Sequence, residues 1–184
     1  MTDKKDLELL MLGHTPILQI ESHEERRALG LLVDIATRNM LPVFQWSITE
    51  GLKRLDIDLG IQRHNAEPDD VLGHIKSSGK DGIYVLLDFN PYIKDPKITR
   101  YLKEIAMQFD GGRNKLVLLS HEINVPASLN SSVVRFELSL PGEEDLIKLV
   151  IEEGLKWQKE TGIKVNVETE YAARMVNKLK GINI

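Results

Sequence analysis

Cysteine is absent from the 184-residue sequence, so the chain has no disulfide bonds and no thiolate zinc site. Long apolar runs are absent too, and no segment reaches the ~20 apolar residues that a membrane-spanning helix needs. The first residues carry charges where a secretory signal would have an apolar stretch. We therefore expect a cytoplasmic protein with no membrane association.

The sequence also has no excess of positive charge. The sequence has 24 Lys and Arg against 28 Asp and Glu, which gives a formal net charge of −4 and a pI near 5.8. Binding to a phosphate backbone needs a basic face, so this balance argues against a nucleic-acid-binding module.

The 42% of apolar residues suffices for a sizeable core, and they recur in strand-like and helix-like segments that alternate along the chain. This alternation predicts an α/β fold with a five-stranded, mostly parallel sheet flanked by helices. In the stretch 50–67 the apolar residues follow neither the helical nor the strand spacing, so no element is predicted there. The predicted strands are 16–22, 43–48, 83–89, 115–120 and 133–140, and the main predicted helices are 24–39, 69–76, 95–112, 143–160 and 168–180.

The chain after the first predicted strand lacks the chemistry of a phosphate-binding loop. Such a loop has the pattern G-x-x-x-x-G-K-[ST], in which backbone N–H groups and a lysine surround the phosphates. The strand is followed here by Ser22, His23, Glu24 and Glu25. The stretch between Ser22 and Arg27 contains no glycine and no lysine. The two glutamates would repel a triphosphate. The S-x-x-E spacing of Ser22 and Glu25 predicts a capping box for the following helix.

Polar residues also follow the third and fourth predicted strands, at Asp88 and at Ser120-His121. Ligands of parallel sheets bind beyond these carboxyl ends. Two histidines with a carboxylate could hold a metal, which leaves open a metal-dependent hydrolase built on His23, Asp88 and His121. No cysteine or spaced ligand pair reinforces such a site. We therefore expect no metal there, with His23 and His121 too far apart or pointing outward.

Three further residues attract attention. Arg135 in the fifth predicted strand could reach a neighbouring subunit as an arginine finger does, but a strand-surface arginine is the favoured interpretation. Trp46 and Trp157 are predicted to be packing residues.

The order of segments resembles the AAA+ family over nearly the whole chain. IYVLLDFNPYI resembles a Walker B strand that ends at Asp88, with Phe89 where ATP-hydrolysing members carry a second acid. KLVLLSHEINVPASL resembles the sensor-1 strand and the following Asn-x-Pro-x-x-Leu stretch. RFELSLPGEEDLIKLV resembles the passage into the helical lid. The resemblance implies a degenerate AAA+-like α/β domain over 1–160, without a Walker A loop, and the start of a lid over 161–184.

A narrower similarity concerns PILQIESHEERRALGLLVDIA and LPVFQWSITEGL. They resemble the N-terminal part of bacterial and chloroplast AAA proteins of the hypothetical chloroplast reading frame type, which carry His-Glu-Glu-Arg and then Trp-Ser. The matching residues here are His23, Glu24, Glu25, Arg26, Trp46 and Ser47.

In that family an intact AAA+ module follows. The resemblance thus implies a non-catalytic N-terminal module, the front part of such a protein or a piece cut from it, that serves assembly, regulation or partner recruitment. It implies that ATP and Mg²⁺ are bound elsewhere in a homo-oligomeric full-length protein, whose C-terminal AAA+ module or other subunits are the partners. The chain itself is expected to hold no cofactor and no catalytic residue, with Asp88 as the one remnant of an ATP site.

The candidate contact edge comprises His23, Glu24, Glu25, Asp88, Ser120 and His121. The alternative function is an ATP-binding or metal-dependent hydrolase with an atypical site at the strand ends.

Overall fold

Six strands form a single sheet in the computed structural model, which describes residues 2–55, 65–78, 81–139, 142–164 and 168–180. The sheet order is β3-β2-β4-β5-β1-β6; β3 is antiparallel to β2 and all other neighbours are parallel. The strands are β1 Ile17–Glu21, β2 Val43–Ser47, β3 Gly51–Arg54, β4 Ile83–Leu87, β5 Lys115–Ser120 and β6 Val133–Glu137.

The predicted α/β class and mostly parallel sheet are confirmed, but the sheet has one strand more than the five predicted. The additional strand is β3, at the start of the stretch whose sequence showed no period. Gly51 begins it with a φ of 71°, a left-handed conformation that lets the chain turn back tightly onto β2. Its four residues GLKR lack the alternation of a typical strand, so pairing with β2 decides its conformation.

Helices cover both faces of the sheet. Apolar residues of α3 and α4 belong to one core cluster, and those of α1 and α2 belong to the other. Because β4 and β5 lie between these clusters, every residue of both strands is buried, which explains the apolar runs IYVLL in β4 and LVLL in β5. The helices of this part are α1 Thr2–Leu12, α2 Glu25–Arg38, α3 Pro68–Ser78 and α4 Pro96–Phe109, with short 3₁₀ turns at Asn90–Tyr92 and Ala127–Ser132.

The start of α4 follows the local sequence. The Asp95 side chain accepts hydrogen bonds from the backbone N–H groups of Lys97 at 2.7 Å and Ile98 at 3.2 Å. Pro96 occupies the first turn, where its missing N–H costs nothing. The Asp95-Pro96 pair predicted this helix start, and the structure confirms it.

By its contacts the chain divides into a first unit, Met1–Leu138, and a second unit, Ser139–Ile184. In the second unit α5 (Glu143–Thr161) and α6 (Thr169–Lys180) contact each other. The contacts therefore group α5 with α6, whereas the sequence placed α5 in the first domain and began the lid at 161. The identity of these helices as an AAA+ lid stays a prediction. Within the described residues, no helix has the length and apolar character to cross a membrane.

Candidate functional site

A small polar cavity lies at the carboxyl edge of the sheet, where β1, β4 and β5 end. Its volume is about 200 Å³. It gathers five of the six residues predicted to form a contact edge, and Glu24 is not part of its lining. The lining residues are Ser22, His23, Glu25, Asp88, Leu119, Ser120 and His121.

The two histidines come together because β1 and β5 are adjacent parallel strands in matched register. Glu21 lies opposite Ser120, and the backbone N–H of Ser22 donates to the Ser120 carbonyl at 3.0 Å. His121 directly follows Ser120, and His23 lies two residues after Glu21, so the two histidines are offset by one position; their ring centroids are 6.0 Å apart and their ring planes 25° apart. Both side chains are exposed. The expectation that they lie too far apart or point outward, and so hold no metal, stays a prediction. Among the described residues, no group of three His, Asp or Glu side chains is arranged to hold a metal ion.

Asp88 connects the end of β4 to β5. Its backbone N–H donates to the Leu119 carbonyl at 3.0 Å, and its side chain accepts a hydrogen bond from the Ser120 hydroxyl at 3.0 Å. Its φ of 49° is left-handed, a conformation that aspartate tolerates better than most residues. These bonds aim the carboxylate at the cavity. Asp88 thus lies at the carboxyl end of β4. Its assignment as a Walker B remnant stays a prediction.

Phe89 takes no part in the cavity. Its side chain is only 1% exposed and packs edge-on against Trp46, with ring centroids 5.2 Å apart. Phe89, which the sequence resemblance places at the position of the second Walker B acid, therefore belongs to the hydrophobic core. The phenylalanine side chain at this position cannot accept a proton.

The turn between β1 and α2 differs from the predicted capping box. Glu24, not Ser22, is the residue that precedes the helix, and no side chain caps it. The Ser22 hydroxyl accepts a hydrogen bond from the backbone N–H of Glu24 at 2.9 Å, which closes a tight turn before the helix begins. The capping-box prediction was wrong because the extra turn moves the helix start beyond the reach of Ser22.

Carboxylates dominate the first turn of α2. Glu25 lines the cavity, and Glu24 forms an ion pair with Arg27 at 2.7 Å. A triphosphate placed at the end of β1 would meet Glu25 and Asp88 with no lysine to offset them. The lining of the cavity therefore contains two carboxylates and no lysine or arginine.

Comparison with known protein families gives a match that covers most of the chain. The family described as the N-terminal domain of SpoVK-like AAA ATPases matches residues 3–138. The chain belongs to this family. The match ends where the first unit ends, at Leu138. This confirms the resemblance to an N-terminal AAA+ region.

Individual relatives of this SpoVK-like N-terminal domain bear the name AAA domain-containing protein ycf46. The protein of Pyropia yezoensis is 22% identical over 187 residues, which cover 100% of this chain and 36% of the relative. That of Guillardia theta is 27% identical, over 84% of this chain and 31% of the relative. That of Trieres chinensis is 21% identical, over 77% and 29%. The chain thus spans about a third of the length of these relatives.

One polar network beside the cavity of this SpoVK-like domain was not predicted. Glu21 accepts hydrogen bonds from the Gln19 side chain at 2.9 Å and from the Ile123 backbone N–H at 3.1 Å. Gln19, only 7% exposed, also donates to the Ile123 carbonyl at 3.1 Å. These bonds hold the segment after His121 against β1. The sequence did contain a clue to this network, because Gln19 and Glu21 are polar residues within the otherwise apolar predicted strand PILQIES.

Arg135 of β6 completes this Glu21 network. Its guanidinium donates to Glu21 at 2.5 Å and lies 2.8 Å from a carboxylate oxygen of Glu137. Both acids belong to the same chain, so Arg135 links β1 and β6. The structure therefore agrees with a strand-surface arginine, the interpretation favoured from the sequence.

Proposed function

We propose that this SpoVK-like N-terminal domain is a non-catalytic module that serves assembly, regulation or partner recruitment for an ATP-hydrolysing AAA+ module in the full-length protein. The observation that carries the proposal is the end of β1. The sheet keeps a position for a phosphate loop, but the Ser22 turn and the carboxylates of Glu25 and Asp88 occupy it. ATP and Mg²⁺ would be bound by the other module.

The length of the relatives supports the proposal that a separate module hydrolyses ATP. The proteins named AAA domain-containing protein ycf46 are about three times as long as the part that this chain matches. Their remaining length has room for an ATP-hydrolysing module. We infer a homo-oligomeric full-length protein in which that module, or another subunit, is the partner of this domain.

The cavity is the proposed contact surface. His23 and His121 are exposed at its rim, and Asp88 and Glu25 add acceptors. A surface with two carboxylates and two imidazoles favours a partner that presents hydrogen-bond donors or positive charge.

We expect the chain not to bind ATP. Calorimetric titration with Mg-ATP should give no saturable heat, because the cavity repels phosphate and offers no lysine. A Glu25→Lys variant removes one repulsive charge and serves as a matched comparison. A low-micromolar site in the unaltered chain, abolished by Asp88→Asn, would contradict the proposal and support the alternative of an atypical ATP-binding hydrolase.

The full-length protein provides the complementary test. There, Asp88→Asn should leave ATP hydrolysis in place, because the proposed chemistry lies in the other module. Steady-state ATPase assays and the oligomeric state of the same preparation would be measured together, with Asp110→Asn as a control outside the cavity. Complete loss of hydrolysis in an Asp88→Asn protein that assembles normally would show that this domain takes part in the chemistry.

A further inference from the structure

β6 is an edge strand of the sheet within the first unit. β6 is the last strand in the sheet order, and it pairs with β1 alone among the strands of the described residues. An edge strand presents backbone N–H and C=O groups that another strand can pair with.

The side chains of β6 alternate between two faces. Phe136 is buried in the core cluster of α1 and α2, and Val134 and Leu138 pack against the same cluster. On the other face, Arg135 and Glu137 have side chains that are 56% and 71% exposed. The strand thus has apolar residues on one face and one charge of each sign on the other.

We propose that β6 pairs antiparallel with β6 of a second copy of this chain, with Phe136 on the twofold axis. In this register Arg135 lies opposite the partner's Glu137, and Val134 lies opposite the partner's Leu138. Because the axis repeats each contact, the pairing makes two cross-strand ion pairs and two apolar pairs. The sequence VVRFEL is complementary to itself in this arrangement.

The opposite edge of the sheet has a different character. The four residues of β3 include Lys53 and Arg54 and no acid, and Lys53 is ion-paired with Glu50 just before the strand, so β3 has no charge of each sign along its length with which to pair with a second copy. Charge therefore selects β6 over β3 for self-association. Pairing at β6 makes no use of the cavity, so it goes beyond the proposed function and is tested separately from it.

Sedimentation velocity over a concentration series tests the dimer. We expect the unaltered chain to shift from monomer to dimer, and Glu137→Lys to weaken dimerisation by about tenfold or more, because two like-charge pairs replace two opposite ones. Glu153→Lys makes the same change of charge at an exposed site on α5 and should leave the dimer unchanged. A monomer at every concentration, or a dimer that Glu137→Lys leaves intact, would overturn the proposal.

Introduced cysteines test the register, since the chain has none of its own. Arg135→Cys and Glu137→Cys chains, mixed and oxidised in a redox buffer, should form the mixed disulfide in excess over random pairing. Identical cysteines would lie two register positions apart, about 7–8 Å, too far for a good disulfide. Random pairing, or an excess of the symmetric products, would refute this register.

Arg135→Cys also removes a bond to Glu21, so folding of each variant is checked by circular dichroism. If it does not fold, Val134→Cys mixed with Leu138→Cys gives a second pair that faces across the same axis. The same excess of mixed disulfide is expected. Its absence in folded chains would refute the proposal equally.

Discussion

Replacing Trp46 by alanine should lower the free energy of unfolding by about 3–5 kcal/mol. The Trp46 side chain is fully buried, and its indole N–H donates to the Asn65 carbonyl at 2.8 Å. Its ring packs edge-on against Phe89 at 5.2 Å and Tyr92 at 6.2 Å between centroids. Truncation would remove these contacts and leave a cavity that the surrounding sheet and helices cannot close.

Trp157 provides the matched control, because it is the other of the two tryptophans and is 48% exposed on α5. Trp157→Ala should change the free energy of unfolding by about 0.5 kcal/mol or less. Urea unfolding followed by circular dichroism measures both variants without relying on tryptophan fluorescence. Equal losses in the two variants would show that the buried position of Trp46 does not govern stability.

Replacing Glu21 by alanine should cost about 2–3 kcal/mol of stability, because it removes the acceptor shared by Gln19, Ile123 and Arg135. Ile123 is only 5% exposed, so water cannot readily replace the acceptor at its backbone N–H. Glu21→Gln keeps an acceptor but loses the charge, and its effect should be intermediate. The measurement is again urea unfolding.

Glu137→Ala is the control for this network. Glu137 is the other acid beside Arg135, but its side chain is 71% exposed, and exposed ion pairs contribute about 0–1 kcal/mol. A loss at Glu137 as large as that at Glu21 would mean that the ion pair with Arg135, and not the buried hydrogen bonds, stabilises this region.

Much of the fold was predictable because its signals are local. The apolar run IYVLL lies at β4, and Asp95-Pro96 lies at the start of α4, as expected. The capping box at Ser22 shows the limit of such patterns. Its S-x-x-E spacing was present, but a tight turn placed Ser22 outside the helix.

The sequence allowed us to predict which residues form the candidate site, but not the directions of their side chains or the distances between them. Residues at the ends of neighbouring parallel strands must share an edge, which is why His23, Asp88, Ser120 and His121 line one cavity. The strand order alone does not give the direction of a side chain. The 6.0 Å separation of the histidine rings depends on the register between β1 and β5.

By itself the sequence determined that this SpoVK-like domain is an α/β protein without a phosphate-binding loop after its first strand, because strand periodicity and the absence of glycine and lysine between Ser22 and Arg27 are properties of short segments. Only the tertiary structure decided that β3 joins the sheet and that Glu21 holds Ile123 and Arg135. The physical reason is distance along the chain. The bonds of Glu21 join residues 102 and 114 positions apart, and no local pattern encodes which distant groups will meet once the sheet has formed.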